Sequence, residues 1–349
     1  MTRIITIKDV ALRAGVSPKT VSRVLNDEAH VRPGVRAAVQ QVIADLDYRP
    51  NAYARSLSSS RSYLLGLLLD DPGSGYAADI QLGALIRCRA RGYHLVVEPV
   101  DVAADGWLSA LGSSLRSLRL DGAMLTPPLC DNQRLLDLLD DIGLPYVRIS
   151  PSTDIDRSGF VRMDDRAAAY EMTSYLLGLG HRVIGFIKGD PTHSSSAERF
   201  DGYCAALADA GGLFAHAFVR EGDFSFRSGL TLGEDLLGSA TLPSAIFSSN
   251  DDMALGVLIS AIKLGIAVPG MLSVAGFDDA PTARAAWPQL TTIRQPKGEM
   301  AAAAVDILVD PRYRSNVHDA AFRRLLDYSL VQRSSTGRFE LDSRWAPAI

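Results

Sequence analysis

From Tyr63 onward the sequence repeats one pattern: a continuous apolar run of strand length, then a helical stretch. YLLGLLLDD reads as a strand and DIQLGALIRCRARGY as a helix. HLVVEP, GWLSALGSSLRSLRL, DGAMLTPP, NQRLLDLLDDIG and PYVRIS continue the alternation. It restarts at AAYEMTSYLLGLGHRVIGFIKGD and runs through AERFDGYCAALADAGG, AIFSSNDDMALGVLISAIKLG and LSVAGFDD. Uninterrupted apolar strands are buried on both faces, which calls for parallel sheets covered by helices. Two such series predict an α/β body of two doubly wound lobes. Ligands bind such lobes at the carboxyl ends of the strands, and the cleft between two of them is the natural small-molecule site.

Polar residues just past the strand ends are therefore the candidates. Asp70 and Asp71 follow the first strand, Ser150 follows PYVRI, Asn250 and Asp251 follow AIFSS, and Asp278 and Asp279 follow LSVAGF. Arg199 opens a helix after the serines at 194–196. Paired carboxylates admit two readings, metal or acid–base groups on one side and acceptors for ligand hydroxyls or helix caps on the other. Asp251, ahead of MALG, reads as a cap. The sequence carries no nucleophile–base–orienter pattern, phosphate loop, zinc spacing or dinucleotide glycine signature, so no catalytic residue, metal or cofactor is expected.

The head of the chain differs in kind. Residues 1–61 hold ten Lys/Arg against five acids, a balance of +5; the whole chain is -4, so the remainder is -9. That split predicts an anionic partner for the head alone. Thr6 and Asp9 resemble a capping box, and Val10, Ala11 and Ala14 share a helix face. Gly15 suits the turn, Val16 its core, Ser17 an N-cap and Pro18 a first helical position. Val21, Val24 and Leu25 form the buried stripe of a second helix, leaving Lys19, Thr20, Ser22, Arg23 and Asn26 outward. Val35, Val39, Val42, Ile43 and Leu46 supply a third. Three short helices with a basic outer face match the unit that lays a recognition helix in the major groove; a small protein-binding bundle is the alternative. YRPNAYARSLSSSRS, residues 48–62, then holds a helix of about two turns, too short to stand alone in water. It is either an inert linker or a segment ordered by a symmetry mate and a minor groove, with Leu57 as the wedge.

Cys88, Cys130 and Cys204 lie in no metal spacing and fit a reducing cytoplasm. No apolar leader opens the chain and no apolar run is long enough to span a bilayer, so a cytoplasmic protein without a membrane partner is expected.

IKDVALRAGVSPKTVSRVLN and YRPNAYARSL, followed by GLGHRVIGFI, SSNDDMALG, LSVAGFDD and LTTIRQP, resemble the lactose/galactose repressor (LacI/GalR) family of bacterial transcription regulators. The resemblance implies a helix-turn-helix head over 1–48, a hinge helix and linker over 49–62, and a periplasmic-binding-protein-like body over 63–340. The first lobe would span about 63–161 plus 293–322, and the second 162–292 plus 323–340. It implies that Ser17 and Thr20 hold phosphates, that Pro18, Lys19 and Arg23 face base edges, and that Leu57 is the minor-groove lever. Thr6, Ser22, Asn26, Asn51 and Ala54 complete the DNA-facing set. Arg199, Asn250 and Asp278 would bind effector hydroxyls, Phe224 would stack on an apolar ligand face, and Gln295 would close the cleft beside Asp71 and Ser150.

Three departures matter. The third helix opens on Arg32-Pro33-Gly34 rather than a Ser or Asp cap, which should loosen it. Ser150-Pro151 stands where many relatives carry Asp; losing that carboxylate either weakens one hydroxyl contact or makes room for an anionic ligand, if Arg148, Arg199 and Lys188 lie near the cleft. The tail lacks leucine heptads, so a homodimer is expected, with alanines at 301–304 packing across its interface. The implied function is a repressor of carbohydrate-utilisation genes, acting on a near-palindromic operator under control of a sugar-like effector. The rival is a cytoplasmic sugar-binding or sugar-processing protein with a regulatory DNA-binding head.

Overall fold

The computed structural model describes residues 5–25, 30–48, 61–211 and 216–339. The chain divides into a small unit ending at Tyr63 and a large unit beginning at Leu64. The joint expected over 49–62 falls mostly outside the described residues, as do Asn26, Asn51, Ala54 and Leu57.

The small unit contains α1 (Ile7–Ala14), α2 (Pro18–Leu25) and α3 (Pro33–Asp45). Asp9 opens α1 by accepting the Thr6 backbone N–H at 2.8 Å and its hydroxyl at 2.7 Å. Gly15 ends the helix at φ +66°, a conformation that costs little only without a Cβ. Ser17 then accepts the Thr20 N–H at 3.2 Å, satisfying a donor at the start of α2. Val10, Ala11, Val21, Val24, Val39 and Tyr48 form one buried core, with Val16 and Val35 packed against it. Arg32 holds the cap position of α3 without a side-chain hydrogen bond, as its missing Ser or Asp implies.

The large unit holds two six-stranded sheets. The first contains β1 (Leu64–Leu69), β2 (His94–Pro99), β3 (Gly122–Leu125), β4 (Tyr146–Ile149), β5 (Gly159–Arg162) and β11 (Arg323–Leu325). Its order is β11-β5-β4-β3-β1-β2, parallel throughout. The second contains β6 (Ile184–Lys188), β7 (Val219–Glu221), β8 (Ala245–Ser248), β9 (Ser273–Asp278), β10 (Thr291–Arg294) and β12 (Ser329–Val331). Its order is β12-β10-β9-β8-β6-β7, and only the β10–β12 pair is antiparallel. The first sheet is flanked by α4 (Gly75–Ala90), α5 (Trp107–Leu118), α6 (Gln133–Asp141) and α12 (Lys297–Val309). The second carries α7 (Asp165–Gly178), α8 (Ser194–Asp209), α9 (Phe226–Leu237), α10 (Asp251–Lys263) and the short α11 (Pro281–Ala285).

Two sequence expectations need correction. The lobe boundaries drawn at 292/293 and 322/323 each cut a strand or its sheet: β10 runs to Arg294 in the second sheet, and β11 pairs with β5 in the first. The chain thus crosses between lobes after β5, after β10 and between β11 and β12. The alanines at 301–304 do not wait for a partner chain. Ala301, Ala303 and Ala304 are buried within this one, where α12 packs on α4. Asp306 of α12 fixes that packing by accepting from Arg87 of α4 and from Arg91, the residue that caps its end, at 2.6–2.9 Å.

His181 opens the turn into β6 and is 1% exposed, its ring nitrogens 2.9 Å from the hydroxyls of Ser244 and Ser273. Burial lowers its pKa to about 4, against the backbone carbonyl of Gly337, which favours the proton. The unfolded chain binds this proton first as pH falls, so stability is full above about pH 6.5 and is lost as pH drops toward 4. The loss approaches roughly 3 kcal/mol. Denaturant midpoints between pH 7 and pH 4.5 should fall steeply in the wild type and less steeply in His181→Gln.

Candidate functional site

A cavity of about 370 Å³ lies where the carboxyl ends of both sheets meet. All seven effector positions expected from the sequence line it: Asp71, Ser150, Arg199, Phe224, Asn250, Asp278 and Gln295. They come from seven separated segments, and the crossing of the chain between lobes brings them together.

Arg199 does not open α8 but stands in its second turn, 5% exposed. Its Nε and Nη2 each lie 2.8 Å from Asp165 Oδ1, and its Nη1 donates to the Ser249 carbonyl at 2.6 Å. The guanidinium carbon stands 3.7 Å from the centre of the Phe277 ring. A planar cation held by an acid, a carbonyl and an aromatic face is fixed before any ligand arrives. Asp278, at the end of β9, accepts from Gln295 Nε2 at 2.5 Å. Burial pushes its carboxyl above the usual range, opposed by Lys297 and Arg199. Gln295 follows β10, so this pair joins a strand end of the second lobe to the segment leading into the first.

Phe224 supplies the apolar wall. Its backbone sits at φ +66°, and Asn250 Nδ2 donates to its carbonyl at 2.8 Å. Asn250 Oδ1 also accepts the Met253 N–H at 2.9 Å, so Asn250 is the N-cap of α10. Its amide therefore positions Phe224 as well as facing the cavity. The Phe224 ring lies on Gly189, where a Cβ would stand 1.9 Å from Cζ; only glycine admits it. His193 meets the ring edge-on at 5.2 Å.

Several expectations change. Asp251 is not the cap of α10. It is 1% exposed and accepts the Ala280 N–H at 2.8 Å and the Thr292 hydroxyl at 2.6 Å, which ties β9, β10 and α10 together. Asp279 turns from the cavity to ion pairs with Arg294 and Arg333. Arg148 is fully buried and donates to Ser158 Oγ at 3.0 Å and to the carbonyls of Thr153 and Asp154. It organises the loop after Ser150 and does not line the cavity. Lys188 pairs with Glu221 at 3.6 Å and covers the Phe200 ring, also away from the lining.

Sequence reasoning missed Tyr76, Asp165, Asp190, His193 and Asp252, which all line the cavity. Burial raises the Tyr76 phenol, and the charges of Asp165 and Asp278 add to it, so its hydroxyl belongs to the same electrostatic cluster. Only the rule that strand ends and helix starts face the cleft could have flagged these residues.

In the small unit, α2 buries Val21 and Val24 and exposes Pro18, Lys19 and Arg23, with Thr20 and Ser22 half-buried. The expected base-reading side chains therefore share one outer face. Thr6 is exposed but committed to Asp9, and the Ser17 and Thr20 hydroxyls lie 3.0 Å apart.

The chain matches two family models: bacterial regulatory proteins of the lacI family over residues 6–51, and the periplasmic binding protein-like domain over 173–336. It is 35% identical to the HTH-type transcriptional repressor PurR of Edwardsiella ictaluri (strain 93-146), over 90% of this chain and 92% of the relative. It is 31% identical to catabolite control protein A of Priestia megaterium, over 95% and 99%. Among solved structures it is similar to a complex of the transcriptional regulator CelR with cellobiose (TM-score 0.72, 30% identity, covering 95% of this chain and 99% of that one). It is also similar to the lac repressor dimer bound to operator and the anti-inducer ONPF (TM-score 0.76, 28% identity, covering 96% and 100%).

Replacing Asn250 with Ala removes both the cap and the Phe224 anchor. Urea unfolding should show a loss of about 1–2 kcal/mol, and Asn250→Ser, which keeps a capping oxygen, should recover part of it.

Proposed function

The chain belongs to the lacI family of bacterial regulatory proteins, and on that footing we propose a transcriptional repressor whose hold on operator DNA is set by a sugar or sugar derivative in the interlobe cavity. One observation carries the effector reading. Hydrogen-bonding side chains from both lobes and the Phe224 ring converge on one cavity sized for a small ligand. A sugar presents polar edges and an apolar face, and this lining offers partners for both. The cellobiose held by CelR gives the reading a structural parallel.

The α2 face supplies the DNA side, with Ser17 and Thr20 toward phosphates and Pro18, Lys19 and Arg23 toward base edges. The active form is a homodimer, whose two heads require two half-sites in a near-palindromic operator. Exposed apolar side chains support this. Leu82 and Ile86 lie four residues apart on α4 at 57% and 61% exposure, and Trp287 is 85% exposed. The ligand acts by preferring one lobe arrangement, and a coupling of about 1–3 kcal/mol changes operator affinity by roughly 5–150-fold.

Fluorescence anisotropy on a labelled operator tests both halves. Arg23→Ala should weaken operator binding by about tenfold or more while affecting random duplex much less. Asp278→Ala should leave operator affinity in place and remove its response to the sugar. Loss of both properties in Asp278→Ala would contradict the assignment of the cavity.

A further inference from the structure

We infer that the cavity selects against negative charge, so that its effector is an uncharged or cationic polyhydroxy compound and not a sugar phosphate or a sugar acid. This rests on the sugar-effector reading above and narrows it.

Seven aspartates line the cavity against one arginine, a formal balance of -6. The arginine is already committed, because Arg199 is bound to Asp165 and to the Ser249 carbonyl. Asp70, Asp71, Asp190, Asp223, Asp252 and Asp278 remain. Their hydrogen bonds are to neutral groups: Asp190 accepts from Thr192, Asp223 from the Ser225 N–H, Asp252 from Thr282 and Asp278 from Gln295. If burial keeps Asp278 protonated, five carboxylates still face the space. His193 does not offset them. Burial lowers its pKa despite the nearby charges of Asp70 and Asp190, which leaves it neutral near pH 7.

The other cations that might have served an anion are spent elsewhere. Lys188 is with Glu221, Lys297 is 2.7 Å from Asp79, and Arg148 is tied to the loop after Ser150. Side-chain caps already occupy three of the helix starts that border the cavity, Ser74 on α4, Ser225 on α9 and Asn250 on α10. A resident metal ion does not account for the acids, because among the described residues no group of His, Cys, Asp or Glu is set to hold one. The carboxylates are spread around the cavity, an arrangement that suits several hydroxyl donors or an ammonium group. Asp70 of the first lobe and Asp190 of the second both act on His193, so closing the cleft concentrates negative charge there.

The test is isothermal titration of the full-length dimer with matched panels. Glucose, galactose, mannose and cellobiose form the neutral set; the corresponding hexosamines, hexuronates and hexose 6-phosphates form the charged sets. For any ring that binds, the uronate and the phosphate should be weaker than the neutral parent by about tenfold or more, since each adds a charge facing several carboxylates. In Asp70→Asn/Asp190→Asn that gap should narrow by at least about threefold. An anion binding as tightly as its parent, or a gap unchanged in the double variant, overturns the inference while leaving a sugar effector intact. No binding by any member of the panels overturns the sugar reading itself.

Discussion

The ion pair between Arg199 and Asp165 underlies the cavity. It lies in the second lobe, almost without solvent, and rests on the Phe277 ring. Removing one partner from such a pair costs about 3–5 kcal/mol, because the survivor stays buried and uncompensated. The pair also sets the field of the site. With Arg199 neutralised by Asp165, the other aspartates dominate the potential a ligand meets. Orientation and charge selection therefore have one origin.

Around that fixed point the two lobes supply different chemistry. The first contributes strand-end carboxylates and Tyr76, while the second contributes the arginine, the aromatic wall and Asp278. Among the described residues the chain crosses between the lobes after β5, after β10 and between β11 and β12. Gln295 stands at the second crossing and holds Asp278, so a ligand that competes for Asp278 acts directly on a segment shared by both lobes. That is a physical route from ligand contact to lobe angle.

Much of this was legible in the sequence. Strands apolar on both faces admit few arrangements other than covered parallel sheets, and β1 to β4, β6, β8 and β9 lie where the alternation places them, whereas β5, β7, β10, β11 and β12 carry no such signal. The turn between α1 and α2 was legible because Gly15, Ser17 and Pro18 each serve a backbone need that few residues meet. Most of the failures depended on contacts distant in sequence. Arg148 turned inward because Ser158 and two loop carbonyls receive it. Asp251 reads as a cap in the sequence because it begins the helix, but Asn250, one residue earlier, has the extended backbone a cap requires. The alanines at 301–304 suggest a dimer contact in sequence because the composition of α12 does not reveal that α4 covers them. Asp165 and Tyr76 begin helices on opposite lobes, and no local pattern links them.

The central claim is that cavity and head share one equilibrium. Linkage makes that claim reciprocal: if a sugar changes operator affinity by some factor, operator must change sugar affinity by the same factor. The decisive measurement is therefore sugar affinity by titration calorimetry, on the free dimer and on the dimer saturated with operator, beside operator affinity with and without saturating sugar. The account predicts equal factors in the two directions. A sugar that binds the cavity with the same affinity whether or not operator is present would contradict it.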